Sequence, residues 1–133
     1  MMSKSILIPV LAALCLSALA SAQGAPAMTV EEMVFCTAVQ DRAPSGVDTA
    51  FASIVENVFC FSRVAGAADT VSVTHVWYFG DREMGRVELP VRASTWRTWS
   101  SKKILPEWQG VWRVDILSPA GDVLKSATFA VRP

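Results

Sequence analysis

The stretch Val71–Lys103, V-S-V-T-H-V-W-Y-F-G-D-R-E-M-G-R-V-E-L-P-V-R-A-S-T-W-R-T-W-S-S-K-K, decides the fold. Side chains along an extended strand point alternately to opposite faces. Val71, Val73, His75, Trp77 and Phe79 therefore share one face, and Ser72, Thr74, Val76 and Tyr78 the other. Gly80-Asp81 supplies a tight reversal into a second strand over Arg82–Val91. In that strand Val87, Leu89 and Val91 oppose Arg86, Glu88 and Pro90. Proline has no N–H to give a central ladder, so Pro90 predicts a sheet edge or a bulge. A third strand follows over Ala93–Ser101, with Trp96, Thr98 and Ser100 opposing Thr95, Arg97 and Trp99.

Outward from this stretch the same pattern recurs. Ile104–Gly110 is a connection, and in Val111–Leu117 Trp112, Val114 and Ile116 point inward while Arg113 and Asp115 point outward. Ser118-Pro119-Ala120-Gly121 has the proline and glycine of a type I turn. Asp122–Val131 is the last strand. Towards the N-terminus, Ile54–Phe61 and Met33–Val39 are β-branched and aromatic. Ala65–Asp69 reads as a turn and Asp41–Gly46 as a loop, while Thr29-Val30-Glu31-Glu32 has the form of a helix capping box. The expectation is an all-β fold: an antiparallel immunoglobulin-like β-sandwich of about seven strands, with a small barrel as the alternative.

The first residues predict export. Lys4 is the only charge before Glu31, an apolar run spans Ile6–Leu19, and the small residues Ala18, Ala20, Ser21 and Ala22 follow. That order is a secretory signal peptide, cleaved after Ala20 or Ala22. The division is then 1–22 signal peptide, 23–30 flexible lead-in and 31–133 β-sandwich domain, working in the periplasm or outside the cell. The apolar run falls short of the roughly 20 residues a bilayer span needs, so a membrane enters only if this segment is retained. Charges balance at 12 basic and 12 acidic, and removal of Lys4 leaves 11 against 12. No concentrated positive field is available for nucleic acid.

Removing Cys15 with the signal peptide leaves Cys36 and Cys60, an even count in an exported chain. A bridge between them would close a loop of about 25 residues and contribute roughly 3 kcal/mol. The alternative is two buried free thiols acting as small apolar groups.

Five blocks arrive in a familiar order: H-V-W-Y-F-G (75–80), V-E-L-P-V (87–91), W-R-T-W-S-S-K (96–102), G-V-W-R-V-D-I (110–116) and G-D-V-L (121–124). Together they resemble an uncharacterised bacterial family, domain of unknown function 2914, over most of the chain from about Cys36 to Val131. The resemblance implies a small all-β domain, often at the C-terminus of exported or membrane-attached bacterial proteins. It implies no activity, substrate or cofactor, and carries no catalytic residue across.

The residues themselves offer little chemistry. Ser100, Ser101, His75 and Asp81 or Asp115 supply the types of a hydrolytic triad, but no nucleophile-elbow glycines flank the serines. His75 reads more simply as a hydrogen-bonded residue on a half-buried strand. A single histidine and two separated cysteines make no zinc site, Asp81 and Glu83 lack a calcium loop around them, and no phosphate-binding glycine motif is present. No cofactor or metal is expected.

The block Trp96–Lys102 is the candidate surface. Trp99 and Arg97, with Lys102, Tyr78 and His75 as further candidates, suit stacking on sugar rings or gripping carboxylates and phosphates through a guanidinium fork. The competing reading places Trp96 and Trp112 between the sheets and lays Arg97 over Trp99 or against Glu88 or Asp115. The functional expectation is an exported, non-catalytic module that binds a protein partner or a cell-envelope glycan. The alternatives are a small periplasmic hydrolase using His75 and a purely structural accessory domain.

Overall fold

A computed structural model describes residues 28–133. The expected signal peptide, Cys15 and residues 23–27 lie outside them. Along the described chain run β1 (Thr29–Cys36), β2 (Ala38–Gln40), β3 (Ala43–Ser45), β4 (Ala50–Ala52), β5 (Asn57–Ala65), β6 (Val71–Phe79), β7 (Arg82–Val91), β8 (Thr95–Lys103), β9 (Gly110–Leu117) and β10 (Val123–Arg132). One sheet has the order β1-β5-β8, the other β4-β10-β9-β6-β7, and β2-β3 is a separate hairpin. The two larger sheets form the layers of a β-sandwich, and every pairing is antiparallel except β4 on β10.

The inward faces follow from alternation. Val73, His75 and Trp77 of β6 and Trp112, Val114 and Ile116 of β9 are all fully buried. Trp112 stacks on Phe79 and Phe129, with ring centroids 5.0 and 6.0 Å away. Its indole N–H donates to the Trp108 carbonyl at 3.1 Å, which satisfies the polar handle of a buried tryptophan. One core cluster gathers Phe35, Phe51, Cys60, Trp77, Trp112 and Phe129 among others. A smaller one gathers Val64, Ala67, Val73, Val91 and Ile116, with Trp96 packed on its margin. β7 lies at the edge of its sheet, where Pro90 costs no ladder hydrogen bond.

The N-terminal third departs from the expectation. Thr29–Glu32 opens β1 and caps no helix, so Thr29 and Val30 belong to the sandwich and not to a lead-in. β1 ends at Cys36, and the chain bends at Thr37 before β2. The D-R-A-P-S-G segment is half of a hairpin: Gln40 faces Ala43 across Asp41 and Arg42, whose φ values are 51° and 60°. Two positive φ angles mark a type I′ turn, which matches strand twist but suits glycine and asparagine best. Ile54 is 80% exposed in a loop, so the strand expected over Ile54–Phe61 starts instead at Asn57 and runs on to Ala65.

Candidate functional site

The five candidate ligand residues do not share a surface. Arg97 and Trp99 lie on the face of β8 that looks away from the sandwich, opposite Arg63 and Phe61 of β5. Lys102 has the other parity and sits near the far end of β8, with its Nζ 5.9 Å from the Trp108 ring. Tyr78 is on the outer face of the other sheet, beneath the Arg113 guanidinium at 4.2 Å. His75 is fully buried between the sheets. Alternation forces this dispersal, because strands of two different sheets carry the five residues.

His75 lies inside a closed run of hydrogen bonds. Trp77 Nε1 donates to Ser100 Oγ at 3.1 Å, and Ser100 Oγ lies 2.6 Å from His75 Nδ1. At the other side of the ring His75 Nε2 stands 3.4 Å from Ser62 Oγ, which donates to the Thr98 carbonyl at 3.0 Å. The ends fix the direction: an indole N–H only donates and a carbonyl only accepts. Ser100 therefore donates to Nδ1, and the ring carries its proton on Nε2. A second ring proton would leave the Ser100 hydroxyl hydrogen without an acceptor in this run. Burial alone already disfavours the imidazolium and brings the His75 pKa down to about 4.

Chemically this is a serine–histidine contact without its remaining parts. A triad needs a carboxylate on the far ring nitrogen and a nucleophile open to substrate. Here the far nitrogen meets Ser62, and Ser62 and Ser100 are both buried. The hydrogen-bonded histidine expected on a half-buried strand face is hydrogen-bonded but fully buried.

Each half-buried tryptophan and tyrosine is covered by a cation. Arg113 lies over Tyr78 and Lys102 over Trp108. The Arg42 guanidinium lies over both Trp96 and Trp99, 5.1 and 5.9 Å from their ring centroids. Trp99 also stacks on Phe61 across the strand pair, at 6.2 Å and 17° between ring planes. Trp96 and Trp99 are thus both half-buried, one at the core margin and one on the outer face. Arg97 does not lie over Trp99 or pair with Glu88 or Asp115, because Arg113 takes Asp115 at 3.1 Å and Arg42 takes the indoles.

These groups border a cleft of about 310 Å³ lined by Arg42, Pro90, Arg92, Trp96, Arg97 and Trp99, with Thr98. Arg42 Nη2 donates to the Arg97 carbonyl at 3.4 Å, and Arg97 Nη1 donates to the Arg42 carbonyl at 3.3 Å. The reciprocal bonds tie the β2–β3 hairpin tip to β8. Among the described residues no carboxylate forms an ion pair with Arg42, Arg92 or Arg97. Arg63, nearby on β5, is neutralised by Glu31 at 3.3 Å and Glu32 at 3.9 Å, although its Nε is not aligned for a hydrogen bond. Arg42 and Arg92 escaped the sequence reading: one sits in a segment read as a loop, the other at a strand end. The unusual bulk of arginine in a tight turn was the available signal.

A larger hollow of about 660 Å³ lies elsewhere, among Ser53, Ile54, Glu56, Asn57 and Lys103–Pro106. It holds one acid and one base on an open apolar floor and has no aromatic side chain, so it presents no convergent polar set.

The structure places the two cysteines expected to pair without a bridge between them. Cys36 and Cys60 are both free thiols and fully buried. The reason is register: Phe35, and not Cys36, stands opposite Cys60, so the two thiols leave opposite faces of the β1–β5 pair. Cys60 joins the main core, while Cys36 lies beside the Ser45 and Ala38 backbone near the hairpin. Burial pushes both thiols up, and for Cys60 the neighbouring Cys36 adds to it. Among the described residues no group of three histidine, cysteine or carboxylate side chains converges as a metal site would require.

Residues 71–131 match the family model described as Protein of unknown function (DUF2914), the family the sequence blocks resemble. The match begins at Val71, so it covers β6 to the penultimate residue of β10 and not the segment back to Cys36. No curated protein matches the chain.

Proposed function

We propose that this chain, which carries the DUF2914 family over residues 71–131, is an exported, non-catalytic binding module whose ligand docks in the Arg42–Arg92–Arg97 cleft above β8. Export rests on the order of Lys4, the apolar run and the small residues to Ala22. The observation that carries the binding reading is a set of three arginines lining one cleft, none of them in an ion pair with a carboxylate among the described residues. Elsewhere Arg63, Arg86 and Arg113 each have an acidic neighbour, whereas Arg82 and Arg132 stand singly, away from any such cluster of arginines. Clustered like charges repel, and an anionic group of a ligand relieves that repulsion.

The binding mode differs from a sugar-stacking platform. Arg42 covers the Trp96 and Trp99 rings, and Phe61 stacks on Trp99, so the indoles serve to hold a guanidinium in place. The test is capture from the native cell envelope with immobilised protein, comparing the wild type with Arg92→Gln/Arg97→Gln. Both arginines are exposed, so the double variant stays folded and loses only the surface bond from Arg97 to the Arg42 carbonyl. The proposal expects the captured component to be lost with the charges. Unchanged capture by a folded double variant contradicts it.

A further inference from the structure

We infer that the ligand of this cleft is an acidic peptide segment of a partner protein, held through its Glu or Asp side chains. The inference rests on the binding reading above and names its ligand class. A planar guanidinium matches a carboxylate in a two-point fork, and three of them border one small cleft. Trp96 and Pro90 line the same cleft and provide apolar contact between the charges. An acidic side chain flanked by apolar ones complements that mixture.

Two competing modes fit less well. A glycan that relies on ring stacking needs a bare aromatic face, and the cation over each half-buried tryptophan and tyrosine occupies one. Addition of a peptide as a further strand would use the free edge of β8, the terminal strand of its sheet. There the Arg97 carbonyl is already engaged by Arg42, and a charged side chain at an edge blocks strand pairing. Recognition through side chains is what remains.

Arg42 is the element set in place for this. Its φ of 60° and that of Asp41 at 51° put two non-glycine residues in the left-handed region. That conformation costs roughly 1–2 kcal/mol per residue. The turn directs Arg42 onto the two indoles and the Arg97 carbonyl, contacts that offset the cost and hold its guanidinium at the cleft. A pre-positioned fork loses less side-chain freedom on binding than a free one.

The experiment titrates the full chain with a capped hexapeptide alternating Glu and Leu, reading indole fluorescence and calorimetric heat. The same peptide with Gln for Glu, polygalacturonate and inorganic phosphate serve as the other arms. The glutamate peptide is expected to bind, to weaken as salt rises, and to exceed the glutamine peptide by about tenfold or more. In Arg92→Gln/Arg97→Gln that preference should vanish while the protein stays cooperatively folded. Equal binding of the two peptides, or binding of polygalacturonate or phosphate without the peptide, overturns the peptide assignment. Either result leaves the cleft itself to be judged by the envelope capture described above.

Discussion

Ser100 Oγ lies 2.6 Å from His75 Nδ1, yet the pair is joined to Trp77 on one side and, through His75 Nε2, to Ser62 on the other, with no carboxylate in the run. A contact that in an open cleft would suggest a nucleophile and its base is here a bolt between the sheets. His75 stands on β6 and Ser62 and Ser100 on the opposing sheet, so the imidazole bridges the two layers. That placement has consequences for stability that can be measured.

The first concerns pH. His75 has an ordinary pKa of 6.5 in the unfolded chain and about 4 in the fold, because burial disfavours the cation. Between those values the unfolded chain binds the extra proton and the native chain does not. Stability from this group is therefore complete above pH 6.5 and falls as pH drops towards 4, by roughly 3 kcal/mol in all. Urea midpoints measured across that range should show this loss in the wild type and a smaller slope in His75→Gln. Equal slopes would mean the ring is accessible to protons in the folded state.

Removing the Ser100 hydroxyl breaks the run at its centre. Ser100→Ala leaves both the Trp77 indole N–H and His75 Nδ1 without partners in the core. Unsatisfied buried groups cost about 1–3 kcal/mol each, so a loss of roughly 2–6 kcal/mol is expected in chemical denaturation. Ser101→Ala, one residue along on the exposed face, should change stability by less than about 0.5 kcal/mol.

The cysteines give a redox prediction. With Cys36 and Cys60 on opposite faces of the β1–β5 pair, reductant should leave the melting temperature unchanged. Because both thiols are buried and their pKa values raised, a thiol-reactive dye should label them only on unfolding. Mass spectrometry of the native protein should show Cys36 and Cys60 both as free thiols. A mass two hydrogens lighter would establish the bridge instead.

The hairpin that carries Arg42 can be displaced by a substitution that lies outside the cleft. Gly46 follows β3 at a φ of 71°, and a Cβ there would collide with the Thr37 side chain. Gly46→Ala should destabilise the protein by roughly 1–3 kcal/mol and loosen the hairpin. Amide exchange in Ala38–Ser45 should accelerate while β6 and β9 stay protected. Indole fluorescence should then change as Arg42 leaves Trp96 and Trp99.

The sandwich was legible wherever alternation ran long. β7 and β9 show burial that follows the period-two pattern, β6 does so except at Val76, which is buried on the other face, and the edge position of β7 followed from a single proline. The DUF2914 resemblance, carried by blocks in that same half, holds over 71–131. Short elements were not legible. β2, β3 and β4 have three residues each, too few for a period, and β4 pairs parallel to β10 from across the sequence. The candidate site was half legible for the same reason. Alternation places Arg97 and Trp99 together on β8, but no local pattern brings Arg42 from a hairpin 55 residues away. Nor does composition reveal that Lys102 and Tyr78 already cover, or are covered by, neighbours.

The most direct test is the set of indole N–H signals from the five tryptophans in a nitrogen-15 NMR spectrum, recorded as the capped Glu/Leu hexapeptide is added. The account predicts that the Trp96 and Trp99 signals move while those of Trp77 and Trp112, sealed between the sheets, stay in place. Movement confined to Trp77 or Trp108, with Trp96 and Trp99 silent, would contradict it.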